Sequence, residues 1–202
     1  MQPARSSHLD DKTRSLSIRA THLDLNAPRR AEAEDFIRHI FHERYGADVK
    51  SFAPNLMLIE EDERIVASAG WRGANSEPLF LERYLDAPIE RIIGQRAGIQ
   101  IDRERIVEVG NLASDRAGGS LDIILHMARH LHRAGFEWVV FTATQQLIGI
   151  FTKLGLPLLA LSVADATRLG DAANDWGSYY ETQPIVVTGP IRLAIERMRS
   201  GA

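Results

Sequence analysis

A single glutamate stands in an otherwise apolar run, Ile106-Val-Glu-Val109. A carboxylate in a valine and isoleucine strand costs several kcal/mol to bury charged unless it is paired. Such a burial raises the pKa, and a carboxylate that titrates near neutrality can take a proton from an ammonium nucleophile. Glu108 is therefore the first candidate general base. The competing reading is a structural ion pair with an arginine such as Arg105 or Arg83. Downstream, Asp115-Arg-Ala-Gly-Gly-Ser120 opens a long helical pattern. Backbone N–H groups at a glycine-bearing helix start form an anion site suited to a pyrophosphate, and Arg116, Gly118, Gly119 and Ser120 would line it. A plain Gly-Gly turn explains the same residues.

Two further clusters could hold a substrate. Trp176, Tyr179 and Tyr180 lie together in DWGSYYE, and aromatic rings with polar tips often line small-molecule sites. Edge packing against the following strand competes with that reading. Glu82, Arg83, Tyr84 and Asp86 interleave charge with Leu81 and Leu85, as an acceptor pocket holding an amine would, or as a solvated amphipathic turn would. Trp71, at the end of an apolar run, joins Glu82, Arg83, Tyr84 and Trp176 as a substrate-binding candidate. His126 with His130 and His39 with His42 have ligand-like spacings, yet there is no HExxH pattern and no third ligand nearby. Arg129 and Arg133 beside the first pair would repel a cation, so no metal site is assigned. A Gly-x-Ser-x-Gly elbow, a Walker loop and a dinucleotide fingerprint are all absent, which leaves hydrolase, kinase and dehydrogenase readings without a residue.

These side chains need elements to hold them. Leu16, Ile18 and Ala20 alternate as in a half-buried strand, after a polar stretch, residues 1–14, expected to be a mobile tail. Ala33, Phe36, Ile37, Ile40 and Phe41 fit a helix that Asn26 would cap and Gly46 would end. Asn55–Ile59 and Ile65–Trp71, joined by EEDER, predict a hairpin. A helix from Ile89 ends near Gly98, a strand covers Ile106–Val109, and a loop runs from Gly110 to Ser120. Leu121, Ile124, Leu125, Ala128 and Leu131 form the apolar stripe of the clearest helix. Strand Trp138–Phe141, helix Gln145–Leu154, strands Leu158–Leu161 and Ile185–Val187, and helix Ile191–Met198 complete the chain. No composition break divides residues 15–202, so one α/β (α+β) domain with a mixed central sheet flanked by helices is expected.

The strand–loop–helix–strand–helix unit resembles the GNAT superfamily of acyl-CoA N-acyltransferases. Arg116-Ala-Gly-Gly119-Ser-Leu121 is similar to its Arg/Gln-x-x-Gly-x-Gly/Ala signature, departing at Leu121. Phe151 to Pro157 resembles its Phe-Tyr-x-x-x-Gly-Phe segment, with Thr152 where a tyrosine often protonates the departing thiolate. Longer runs, PLFLERYLDAPIE (78–90), IVEVGNLAS (106–114), HRAGFEWVVFTAT (132–144), FTKLGLPL (151–158) and DWGSYYETQP (175–184), resemble the thermostable hemolysin family over residues 30–190. That family is similar to GNAT enzymes and to acyl-homoserine-lactone synthases. The resemblance implies a GNAT-like fold and transfer of an acyl group from acyl-CoA or an acyl-carrier protein to a small-molecule amine, with no tightly bound cofactor. It implies that Glu108 is the base, that Asn111 holds the thioester carbonyl, and that Val109, Leu112 and Ala113 expose backbone groups to the pantetheine arm. Tyr179 or Tyr180 would then supply the acid missing at Thr152.

Composition sets the outer bounds. The 202 residues are 45% hydrophobic and 25% charged, as in an ordinary globular domain. Twenty-four basic against 27 acidic residues give a net charge of −3, which offers no electrostatic case for nucleic acid or an anionic membrane. The absence of cysteine excludes disulfides, thiolate catalysis and iron–sulfur clusters. With no 18-residue apolar run and no secretory h-region, a cytoplasmic monomer or homodimer without membrane insertion is expected. A membrane-active toxin, suggested by the family's name, would need features of that kind, and a catalytically inactive binding module is the third reading.

Overall fold

The structure is a computed structural model that describes residues 18–116 and 119–200. The expected tail and Leu16 lie outside the described residues. Seven strands form one sheet in the order β1-β2-β3-β4-β5-β7-β6. They are β1 (Ile18–Leu23), β2 (Asn55–Glu61), β3 (Arg64–Gly73), β4 (Ile106–Ser114), β5 (Trp138–Ala143), β6 (Leu159–Val163) and β7 (Ile185–Pro190). β4 and β5 run parallel and the other pairings are antiparallel. Helices α1 (Arg30–Tyr45) and α2 (Ile89–Ala97) cover one face. The other face carries α3 (Gly119–Arg133), α4 (Gln145–Lys153) and α5 (Ile191–Arg199).

The local chemistry explains most of these elements. β2 and β3 form the expected hairpin, and Asp62 and Glu63 both take positive φ in its two-residue turn, as the twist of a tight hairpin requires. α1 ends where Gly46 adopts the left-handed conformation and its N–H closes on the His42 carbonyl. It begins later than the sequence suggests. The Asp24 side chain takes the Asn26 N–H in a turn, so Asn26 is not the helix cap, and Arg29 holds that position. β1 is an exposed edge strand with Leu23 as its one buried residue, rather than a half-buried one. In α3 the buried stripe is Ile123, Met127 and Leu131, rotated from the expected Leu121/Leu125 face. That helix packs against α5 as well as the sheet, so its apolar arc is wide and Leu121 and Leu125 are only half-buried.

β4 runs on to Ser114 where a loop was expected from Gly110. Between Gly70↔Gly110 and Ser68↔Ala113 one extra residue enters β4, a bulge with Asn111 at φ 52°. Asparagine is one of the few residues that accept this conformation readily. β4 pairs with β5 only through Ile106–Glu108, after which the two strands part.

Candidate active site

Where β4 and β5 separate, a cleft of about 440 Å³ opens on the α1 face. Its lining includes Glu108, Val109, Asn111 and Leu112 of β4, Phe41, Arg44 and Tyr45 of α1, and Arg72 of β3. The far wall is built from Phe80 and Tyr84 of a short 3-10 helix (Phe80–Tyr84) and from Trp176, Tyr179 and Tyr180. The last three belong to an irregular crossing between β6 and β7 whose backbone is tied to α1. The Asp48 N–H donates to Asp175 O over 2.7 Å, and the Ser178 N–H donates to Tyr45 O over 2.8 Å.

Glu108 sits at the floor of this cleft, 7% exposed. One oxygen, Oε2, accepts the Phe80 N–H at 2.8 Å and lies 3.4 Å from Arg72 Nε, while Oε1 accepts the Leu81 N–H at 3.0 Å. Burial pushes its carboxyl above the usual carboxylate range, opposed by the Arg72 charge and the two N–H donors. The ion-pair partner is therefore Arg72, directly across the β3–β4 ladder, and neither Arg105 nor Arg83. Arg105 pairs with Glu137, and the Arg83 guanidinium lies 4.8 Å from the centre of the Phe80 ring.

On the aromatic wall, the Tyr84 and Tyr180 hydroxyls share a hydrogen bond at 2.5 Å. Burial raises the pKa of Tyr84, Tyr179 and Tyr180, so all three stay protonated through the neutral range. The Tyr179 ring packs edge-on against Tyr45 and among Phe41 and Trp176.

Several expected residues are placed elsewhere. Trp71 points to the opposite face of the sheet, packed on His22, His130 and Phe136, because it follows the parity of Ala67 and Ala69. Glu82 is consumed by Arg103, at 2.6 and 2.7 Å, and by the N–H groups of Leu79 and Ile89, which fold the 3-10 segment onto α2. Arg83 and Asp86 are exposed, and Asp86 pairs with Arg168. Ala113 is buried against α1 rather than lining the cleft. Arg116 and Ser120 reach the cleft, but Arg116 is held by Glu61 at 3.0 Å and Asp122 at 2.8 Å. A phosphate there would compete with two carboxylates. Gly119 has a packing reason, since a Cβ would lie 2.2 Å from Ser114 Oγ, and Gly118 lies outside the described residues. The Thr152 hydroxyl donates to Ile148 O within its own helix.

Sequence reasoning passed over Arg72, Arg44, Phe80 and Phe41. The signal for Arg72 was available: a lone buried acid demands a buried base, and Arg72 closes the apolar run of the neighbouring hairpin strand.

Behind the cleft, an apolar chamber of about 80 Å³ lies among α3, α4 and α5. It shares the lining residues Val109, Leu112, Phe141 and Leu147 with the cleft, at the point where the strands part. Among the described residues no cluster of three His, Asp or Glu side chains is placed to hold a metal, and no helix is long and apolar enough to cross a membrane. His126 Nδ1 is bonded to the Asp122 carbonyl.

The architecture matches several solved structures at low identity. FeeM, an N-acyl amino acid synthase from uncultured soil microbes, aligns with a TM-score of 0.61 at 10% identity, over 92% of this chain and 96% of its own. The AHL synthase LasI aligns with a TM-score of 0.57 at 13% identity, over 87% and 90%. BjaI, a CoA-dependent acyl-homoserine lactone synthase solved with SAM and isopentyl-CoA, gives 0.59 at 14%, over 89% and 87%. These likenesses show a GNAT-like fold. Comparison with curated proteins finds no match. The sequence profile described as Thermostable hemolysin matches residues 23–195, and the chain belongs to that family.

Proposed function

We propose that the protein is an N-acyltransferase, moving an acyl group from an acyl-CoA or acyl-carrier-protein thioester to the amine of a small molecule such as an amino acid. The observation that carries this reading is the placement of Glu108, a buried carboxylate on the floor of a cleft that opens at the β4–β5 split and shares part of its lining with an apolar chamber. The solved proteins of like fold have names that describe acyl-transferring synthases, which agrees with it.

The reaction follows from the geometry. The thioester's acyl chain enters the chamber past Val109 and Leu147, and its pantetheine arm lies along β4, whose residues beyond Glu108 have no partner on β5. Glu108 takes a proton from the acceptor's ammonium group. The amine nitrogen then attacks the thioester carbonyl carbon, and the oxyanion that forms is held by the Asn111 amide and nearby β4 backbone. The nitrogen of the intermediate gives up its extra proton to water, and collapse breaks the C–S bond and releases the thiolate. Tyr180, hydrogen-bonded to Tyr84, donates a hydrogen bond to the leaving sulfur, while its raised pKa leaves the proton itself to come from water. With Arg116 already paired, the adenosine phosphates receive a weak grip, which a carrier-protein donor would not need.

Thiol release is a clean assay here, because the chain contains no cysteine. With acyl-CoA and a panel of amines, release is expected to require both substrates. Glu108→Gln is expected to lower kcat by about 10²–10⁴-fold, the usual worth of a positioned base. Because the base must be ionised, kcat/KM in the native protein rises with pH through the raised Glu108 titration, and the variant loses that limb. Release independent of amine, or an unimpaired Glu108→Gln variant, would overturn the mechanism.

A further inference from the structure

Of the arginines that line the cleft, Arg72 is the one whose contacts are loosest. Its side chain is 18% exposed, yet the guanidinium makes no hydrogen bond among the described residues. It has two loose ion-pair contacts, Nε to Glu108 Oε2 and Nη1 to Glu77 Oε1, each at 3.4 Å. Arg44, the neighbouring cleft cation, differs in donating to the Ser114 carbonyl, and Arg116 is held by two carboxylates. A guanidinium presents a planar fork of donors that fits a carboxylate at two points. Arg72 thus lines the cleft with its fork held only by two 3.4 Å contacts.

We infer that Arg72 receives the carboxylate of the acceptor, which makes the acceptor an α-amino acid with an apolar or aromatic side chain. This rests on the acyltransferase reading of the same cleft. In an α-amino acid one carbon separates the ammonium from the carboxylate, so the zwitterion can lie along the Arg72–Glu108 pair with each end against its opposite charge. The acceptor's side chain then faces the wall formed by Phe80, Tyr84, Trp176 and Tyr180.

The test titrates L-phenylalanine and L-leucine, and their decarboxylated counterparts phenethylamine and isopentylamine, into the full chain with coenzyme A present. Each compound is also assayed as an acyl acceptor. At least tenfold tighter binding of the amino acids is expected. Arg72→Gln should erase that difference by weakening the amino acids far more than the amines, and Arg72→Lys should restore part of it. Thermal midpoints of both variants without ligand show that they are folded. Equal affinity for amino acids and amines, no binding of either amino acid, or an equal loss for both classes in Arg72→Gln would overturn the assignment. Carboxylate-dependent binding without acyl transfer would sink the acyltransferase reading and leave Arg72 as a carboxylate receptor. Acyl transfer to the amines as fast as to the amino acids would do the reverse.

Discussion

At the scale of single residues, the site turns on how a buried acid is answered. Glu108 is met by one arginine and two backbone N–H groups at the start of a 3-10 turn, and Oε1 accepts only one of these contacts. Three residues on, Asn111 has a backbone and a side-chain role that can be separated. Its φ of 52° suits Asn or Gly, while its Oδ1 accepts a long, 3.4 Å hydrogen bond from Ala53 N. Asn111→Gly is expected to hold its thermal midpoint, with a stability change within about 1 kcal/mol, because glycine takes left-handed φ freely. It should lose about 10²-fold in kcat if the amide binds the oxyanion. Asn111→Val should instead cost about 1–3 kcal/mol through backbone strain alone. A Gly variant with full activity would remove Asn111 from the chemistry.

At the scale of elements, the aromatic wall depends on how the β6–β7 crossing docks on α1. Gly177 is the pinch point. It sits at φ 52°, ψ −130°, and an added Cβ would lie 2.0 Å from the Tyr45 carbonyl oxygen. Gly177→Ala must push this crossing off α1, at a cost of about 1–3 kcal/mol. Steady-state kinetics should show a raised KM for the acceptor, since Trp176 and Tyr179 move with it, and an unchanged KM would place the acceptor elsewhere. Element positions were largely legible in the sequence because hydrophobic periodicity and glycine stops are local signals, as at the hairpin and at Gly46. What was not legible depends on distant partners. The strand through Asn111 read as a loop because the bulge interrupts its alternation. Trp71 read as a site residue because its face is settled by register with β4, and Glu82 because its partner, Arg103, lies 21 residues away. Glu108, Tyr84 and the Trp176–Tyr180 cluster converge on the cleft as the sequence suggested, whereas Arg72 became visible only once β3 and β4 were paired.

At the scale of the whole molecule, a cleft and an apolar chamber share lining residues where β4 and β5 part, and the proposed reaction uses both. In that proposal the polar cleft would hold the acceptor and the reacting carbonyl, and the chamber, walled by Ile124, Met127, Phe151 and Leu193 among others, would hold the acyl chain. Exposed large apolar residues among the described positions are scattered, at Ile18, Leu25, Ile99 and Val163, rather than gathered into a membrane-facing patch. The most direct test of this arrangement is the thermal midpoint of the purified protein against acyl-CoAs from acetyl to palmitoyl. A ligand at about 100 times its Kd stabilises the native state by about 2.7 kcal/mol. The predicted result is a shift that grows with chain length until the chamber is filled and then levels. An equal shift for acetyl- and palmitoyl-CoA, or none across the series, would contradict an acyl chain held in the chamber.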